Sequence, residues 1–249
     1  RCASWVFPTS TAASSAVAGA SRAVGLVMSK IGVALWKPGQ VERGIEKGQS
    51  KGHDVFRAGE HDGRTTPRAT ELAQMLSVID GAQVTDNLWG ERWAKLCANA
   101  MGNPVQAMSG LGSLEIMSSE VGRAITIHLA AESARVGQAL GYRVPKFNGA
   151  AVEQWAAADR GETYEALDRM LTPASASGRN WRASMAQDIA KGRPTEIDHM
   201  NGYVMAQGRE RGVPTPVSAA VVEVMHEVEQ GARKPAPEHI GLVLRRAGL

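Results

Sequence analysis

Hydrophobic and polar residues follow one pattern up to about residue 86 and a different pattern after it. Residues 23–86 combine short apolar runs, rich in β-branched side chains, with polar and glycine-rich stretches, which indicates strands joined by turns. From residue 87 onward, apolar residues recur at three- and four-residue spacing, which is typical of packed helices. The pattern predicts two domains, residues 1–86 with strands and turns and residues 87–249 with helices.

Several elements are predicted in the first part of the chain. The apolar runs at residues 24–33 and 55–59, and the short segment 81–85, each have the composition of a strand. Residues 67–77 show a helical pattern, with Thr66 as the N-cap and a proline in the first turn. This part is therefore expected to contain strands, turns and one helix.

The clearest helix in the second part is predicted at residues 113–140, with Gly141 as its terminator. Six apolar residues share one face of this helix at helical spacing. They are Ile116, Ala124, Ile127, Ala131, Ala134 and Leu140. The sequence therefore predicts one long helix packed in the core.

Composition argues against several classes of function. The chain has 28 Lys and Arg against 25 Asp and Glu, and its basic residues form only short pairs, so a nucleic-acid partner is not expected. The six histidines lack a second ligand type at metal-binding spacing, so no metal site is predicted. No GxSxG nucleophile elbow occurs, which gives acyl-transfer chemistry little support.

Other features concern the compartment and the start of the chain. Cys2 and Cys97 stand in unrelated contexts, so neither disulfides nor zinc are indicated and a reducing cytoplasm is expected. The apolar stretch at residues 23–36 contains Lys30 and is too short to cross a bilayer. The sequence begins at Arg1 rather than Met, so its start is expected to be missing.

Lys95, Asn99 and Asn103 lie at steps of four and are predicted to form one stripe on a helix. Asparagine is a poor helix former, because its amide competes for backbone hydrogen bonds, so two in register with a lysine need an explanation. Spacing alone leaves two interpretations open. The stripe is either a solvated helix face, which is the commoner case, or part of a polar site.

A second polar cluster lies in residues 182–202. Pro194 indicates a helix start nearby, which would place Glu196 in a first helical turn. A carboxylate there is stabilised by the helix dipole, so its default role is capping. A functional role for Glu196 remains the alternative at this stage.

Four motifs occur together, in one order, within residues 88–230. They are W-x-K-L-x-x-N-x-x-x-N-P at 93–104, S-M-x-Q-D at 184–188, G-R-x-T-E-I-D-x-x-N-G at 192–202 and G-V-P-T-P at 212–216. In this order and spacing they resemble the ketopantoate reductase (2-dehydropantoate 2-reductase) family. Residues 36–39 and 56–60 resemble, more weakly, the end of that family's cofactor domain.

The resemblance implies a chain of two parts. Residues 1–86 would be a remnant of the N-terminal Rossmann-type domain that binds NADP, and residues 87–249 the all-helical C-terminal domain. NADPH would deliver hydride to the carbonyl carbon of a 2-oxo acid, in pantothenate and coenzyme A biosynthesis. Lys95 would be the general acid, since an ammonium both stabilises the charge that builds on the carbonyl oxygen and supplies the proton.

The other site residues also follow from the resemblance. Asn99 and Asn103 would hydrogen-bond polar groups of the substrate, and Ser184 would hold its carboxylate. Ser113 stands where the family commonly has a further substrate-binding asparagine, which leaves the substrate open. Glu196 would face the nicotinamide end of the cofactor and help to keep the lysine protonated.

One part of the family's pattern is missing from the sequence. The glycine-rich turn that binds the cofactor's pyrophosphate has no counterpart, because Gly110 and Gly112 lack both a third glycine and a preceding strand. Activity is therefore expected to depend on a further N-terminal segment. The alternatives are a reductase of another 2-oxo acid, a non-catalytic helical module that forms a homodimer, and a basic nucleic-acid binder.

Overall fold

The computed structural model describes residues 23–28, 33–34, 39, 42–43, 55–158, 160–175 and 180–249. The chain divides into two compact units, and the division falls between Lys95 and Leu96, inside a helix. The weak resemblance at residues 36–38 lies outside the described residues. A helix-rich part after a small sheet confirms the predicted fold class.

The N-terminal unit contains the strands of the structure. They are β1 (Gly25–Met28), β2 (Val33–Ala34), β3 (Glu42–Arg43), β4 (Phe56–Gly59) and β5 (Ala82–Val84). Strand β1 pairs antiparallel with β4, β4 pairs parallel with β5, and β2 and β3 form a separate antiparallel pair. Helix α1 (Pro67–Ser77) connects β4 to β5, so these three elements form a βαβ unit.

Helix α1 begins as the sequence predicts. The Thr66 hydroxyl accepts a hydrogen bond from the Ala69 amide (3.3 Å), and a proline occupies the first turn. The loop before it holds the buried carboxylate of Glu60, which accepts two hydrogen bonds from Arg68 (2.6 and 2.7 Å) and one from the Thr66 hydroxyl. These bonds hold the pKa of Glu60 at about 2.

Within the described part of the chain, ten further helices follow. They are α2 (Leu88–Ala100), α3 (Asn103–Ser109), α4 (Ser113–Ser118), α5 (Glu120–Ala139), α6 (Val152–Ala156), α7 (Gly161–Leu171), α8 (Ser184–Ala190), α9 (Asn201–Arg211), α10 (Pro216–Glu229) and α11 (Glu238–Arg246). Among the described residues, no helix is both long and apolar enough to span a membrane.

Helix α5 lies at the centre of the helical unit and packs against α4, α6, α7, α9, α10 and α11. Its buried side includes Glu132, which is 2% exposed. The Glu132 carboxylate accepts hydrogen bonds from the Val217 and Ser218 amides (2.7 and 2.8 Å) at the start of α10. A buried acid in α5 therefore satisfies amides that α10 cannot satisfy within its own first turn.

The prediction of a single helix at residues 113–140 is wrong, because the structure has two helices there. Ser119 is extended (φ −95°, ψ 132°), ends α4 and caps α5 by accepting a hydrogen bond from the Gly122 amide (3.4 Å). Four of the six face residues are buried, whereas Ala124 and Leu140 are half-buried. The predicted terminator Gly141 is left-handed (φ 77°), as expected.

Candidate substrate site

Lys95 and Asn99 lie one turn apart on α2 and are both half-buried. The opposite side of α2 is anchored by Trp93, Leu96 and Cys97, each 0% exposed. Lys95 is the last residue of the N-terminal unit, and Asn99 belongs to the helical unit. Neither side chain is fully solvated, so the stripe is not a simple solvent-facing surface.

Asn103 does not continue this stripe, and the prediction of one helix for all three residues is wrong. Helix α2 ends at Ala100, and Gly102 (φ −130°, ψ −40°) separates it from α3, which begins at Asn103. Pro104 explains the break, because proline lacks an amide donor and is favoured in a first helical turn. Asn103 is half-buried at the start of the new helix.

Ser184 lies at the start of a helix that packs against α3, directly after the short segment 180–183. It is the exposed first residue of α8, which packs against α3. The amide of Ala183, the N-cap of α8, donates a hydrogen bond to Oε1 of Gln106 on α3 (2.8 Å). Because Gln106 follows Asn103 by three residues, the two predicted substrate residues are carried by directly connected elements.

Ser113 is hydrogen-bonded to Trp181, near the start of the same short segment that precedes Ser184. The Ser113 amide donates to the Trp181 carbonyl (2.9 Å), and the Trp181 amide donates to the Ser113 hydroxyl oxygen (3.0 Å). Oδ1 of Asn180 accepts from the Leu114 amide (3.0 Å), and its Nδ2 donates to Glu115 (2.9 Å). Residues 180–183, the connecting segment, thus link Asn103, Ser113 and Ser184.

Glu196 lies in a turn rather than in a helix. The expected helix start near Pro194 and the capping role of Glu196 are wrong, since α9 begins only at Asn201. Residues 196–200 are held by hydrogen bonds between residues three apart. The His199 amide donates to the Glu196 carbonyl (3.0 Å), and the Met200 amide donates to the Ile197 carbonyl (3.2 Å). The half-buried Glu196 side chain is therefore positioned by a turn.

Helix α10 fixes this turn on both sides of Glu196. The Thr195 amide donates to Oε1 of Glu229 (2.7 Å), and Oδ1 of Asp198 contacts Nε2 of His226 (2.9 Å). The sequence did not reveal these contacts, because Glu229 and His226 lie outside the motif that contains Glu196. Only their helical spacing of three residues could have indicated a shared face.

Asn201 is a further residue that the sequence analysis did not single out. It is 0% exposed, and its Nδ2 donates to the Ala100 carbonyl (3.1 Å) at the end of α2. That carbonyl follows Asn99 directly, so Asn201 fixes the end of the helix on which Asn99 lies. A buried asparagine within a recognisable motif was the available signal.

The described residues limit the chemistry that the site can perform. Burial raises the pKa of the Cys97 thiol to about 12, so this cysteine is not a nucleophile at neutral pH. No group of three or more His, Cys, Asp or Glu side chains among the described residues could hold a metal ion. The Lys, Asn and Ser side chains of the predicted site can form hydrogen bonds, and the lysine can also transfer a proton.

The described residues do not form a complete dinucleotide site. A phosphate group usually binds at a helix N-terminus that follows a glycine-rich turn. The loop between β4 and α1 has a single glycine, Gly63, and the Ala69 amide of α1 is capped by the Thr66 hydroxyl. Glu196 is thus the one predicted cofactor contact within the described residues.

Solved structures share this fold. A 2-dehydropantoate 2-reductase from Methylococcus capsulatus superposes with a TM-score of 0.63 at 21% identity, over 88% of this chain and 63% of that one. D-mandelate dehydrogenase with NADH and anilino(oxo)acetate gives 0.59 at 21% identity, over 83% and 59%. A dimeric ketopantoate reductase from Staphylococcus aureus gives 0.57 at 16%, over 84% and 63%. The chain shares the fold of these structures, which are named as reductases and a dehydrogenase.

The sequence comparisons narrow this class to one family. Residues 87–229 match the family model "Ketopantoate reductase PanE/ApbA C terminal". The 2-dehydropantoate 2-reductase of Mesorhizobium japonicum is 31% identical over 179 residues, which are 71% of this chain and 49% of that protein. The chain belongs to the ketopantoate reductase family, and it spans about half the length of the curated relatives it matches.

Proposed function

We propose that this chain supplies the proton donor and the substrate contacts for the NADPH-dependent reduction of 2-dehydropantoate to pantoate, a step of pantothenate and coenzyme A biosynthesis. The proposal applies to a protein that also has a complete cofactor domain. Its main support is that all six predicted site residues, from Lys95 to Glu196, lie within residues 87–229, which match the family. The connecting segment, which links Asn103, Ser113 and Ser184, supports it further.

Lys95 is the proposed general acid. A bound cofactor would supply hydride to the carbonyl carbon, and the carbonyl π electrons would move to the oxygen. The Lys95 ammonium donates its proton to this oxygen, which gives the 2-hydroxy acid. Such a donor contributes about 10²–10⁴-fold to the rate.

The remaining residues hold and orient the substrate in this proposal. The Asn99 and Asn103 amides hydrogen-bond its hydroxyl and carbonyl groups, and Ser184 binds its carboxylate. The Ser113 oxygen already accepts a bond from Trp181, so its hydroxyl hydrogen is the group that would reach the substrate. Glu196 would contact the nicotinamide end of the cofactor and favour the charged form of Lys95.

The test is the oxidation of NADPH by the full-length protein with 2-dehydropantoate, in the parent and in Lys95→Ala. We expect kcat to fall by about 10²–10⁴-fold in the variant, because the carbonyl oxygen loses its proton donor. Lys146→Ala, at an exposed position, is the control and should keep full activity. A Lys95→Ala enzyme within a few-fold of the parent would show that the assignment is wrong.

A second candidate is the reduction of another 2-oxo acid. It is favoured by Ser113, a short hydroxyl side chain bonded to Trp181 where the family commonly has an amide. The D-mandelate dehydrogenase among the structures with this fold supports the same idea. A panel of branched, hydroxylated and aromatic 2-oxo acids distinguishes the two, since the true substrate should give the highest kcat/KM.

The non-catalytic homodimer is the third candidate. The helical unit has its own core around α5, which is what an independent binding module needs. Light scattering gives the oligomeric state, and calorimetry with NADPH and the full-length protein tests for cofactor binding. A dimer that binds no NADPH would favour the module over the reductase.

For each of these candidate functions we expect a reducing cytoplasm, in which the buried Cys97 stays a thiol.

A further inference from the structure

We infer that Gln106 is a positioning residue of the substrate site, and that it fixes the backbone beside Ser184 relative to the helix that begins at Asn103. The inference rests on the proposed function, because it concerns the substrate contacts named there. Gln106 belongs to none of the residues predicted from the sequence motifs. Its side-chain oxygen accepts the 2.8 Å hydrogen bond from the Ala183 amide.

The Ala183 amide depends on an external acceptor. Ala183 is the N-cap of α8, and the N3 residue, Ala186, lacks the side-chain oxygen with which a capping-box Glu or Gln would accept from the N-cap amide. Both Ala183 and Gln106 are half-buried, so water is a poorer substitute for the missing partner than at an exposed position. The Gln106 oxygen therefore holds the chain at the point where α8 begins.

The two ends of the connecting segment are held by different helices. Asn180 and Trp181 make four hydrogen bonds with the first turn of α4. Ala183, at the other end, is bonded to α3 through Gln106. Loss of the Gln106 acceptor should therefore loosen the end that adjoins Ser184, and leave the end at α4 in place.

Helix α3 connects this contact to substrate binding. Residues three apart lie on the same side of a helix, so the start of α3 at Asn103 and the acceptor at Gln106 move together. A shift of the backbone at Ser184 then changes the spacing between two groups that would hold one substrate. Because neither group is the proton donor, the effect should appear in KM rather than in kcat.

The contact itself is tested by hydrogen exchange on this chain. In Gln106→Met, which keeps the side-chain length but has no oxygen acceptor, the Ala183 amide should exchange about tenfold faster than in the parent. Gln106→Glu retains an oxygen acceptor and should restore slow exchange. The matched control is Gln154→Met, since Gln154 accepts an equivalent bond from the amide of Ala151, the N-cap of α6 (3.0 Å).

The functional part is tested by kinetics on the full-length protein. Gln106→Met should raise KM for the 2-oxo acid about tenfold and leave kcat within twofold, whereas Gln154→Met should change neither. An active parent with the same KM in Gln106→Met, or unchanged Ala183 exchange, overturns the inference alone. A parent that reduces no 2-oxo acid overturns the proposed function and the inference with it.

Discussion

Glu60 and Glu132 are both buried, but their surroundings move their pKa values in opposite directions. The hydrogen bonds from Arg68 and Thr66 hold the pKa of Glu60 at about 2. Burial raises the pKa of Glu132, although the bonds from the first turn of α10 oppose this effect. The charged carboxylate is thus favoured by folding at Glu60 and disfavoured at Glu132.

Glu60 gives a prediction for the dependence of stability on pH. Because its pKa falls from 4.5 to about 2 on folding, its contribution is complete above pH 4.5 and is lost as the pH falls towards 2. The stability difference between the parent and Glu60→Gln should therefore narrow over this range, as measured by urea unfolding at several pH values. Gln74→Ala, a change of a side chain that does not titrate at an exposed position on α1, should give a stability difference that does not depend on pH. A difference that stays constant down to pH 2 would contradict the prediction.

The sequence predicts which residues form the site, but it does not show what holds them in place. The motifs predict six site residues through their resemblance to the family. Gln106 and Asn201 contact backbone groups 77 and 101 residues away, which no local pattern can show. Such contacts become visible only when the helices are placed in space.

At the scale of elements, the strands near residues 55–59 and 81–85 and the helix at residues 67–77 were predicted correctly, whereas the breaks between later helices were not. The helix at Pro67–Ser77 was correct because a threonine cap and a proline mark its start. The break at Ser119 was missed, because apolar spacing continues across it and one capping serine does not alter that spacing. At Pro194 a start signal was present, but the contacts with α10 favoured a turn.

Gly122 tests the break between α4 and α5. A Cβ at this position would lie 2.2 Å from the Ile116 carbonyl oxygen, so Gly122→Ala forces these two helices apart. We expect a loss of about 1–3 kcal/mol in the free energy of unfolding, although alanine is the better helix former. Gly202→Ala is the control in α9, because its Cβ would meet its neighbours at 3.6 Å. Urea unfolding of both variants measures the difference, and a Gly122→Ala protein as stable as the parent would contradict it.

At the scale of the whole molecule, the described residues contain the six predicted site residues but no glycine-rich turn that would bind the cofactor's phosphates. The helical unit contains five of the six predicted residues, and Lys95 ends the N-terminal unit. The loop between strand and helix in the described βαβ unit has one glycine, Gly63, and is not a glycine-rich phosphate-binding turn. The proposed reaction therefore requires groups beyond those that the described residues supply.

Calorimetry with NADPH measures this requirement. We expect no saturable binding by this chain at micromolar concentrations, because no glycine-rich turn joins a strand to a helix among the described residues. A protein with a complete cofactor domain should bind, and serves as the positive control. Saturable binding by the chain alone would show that other residues form the site.

The reciprocal hydrogen bonds between Ser113 and Trp181 also constrain how the protein can evolve. Replacing Ser113 by the asparagine that the resemblance implies for the family would exchange the hydroxyl acceptor of the Trp181 amide for a longer amide side chain and alter the segment that precedes Ser184. Such a change would be tolerated best with compensating substitutions nearby. Residues 106, 113 and 180, whose side chains make the bonds of this segment, are therefore expected to exchange as a group among close relatives, so that a new substrate preference is reached by linked mutations rather than by a single one.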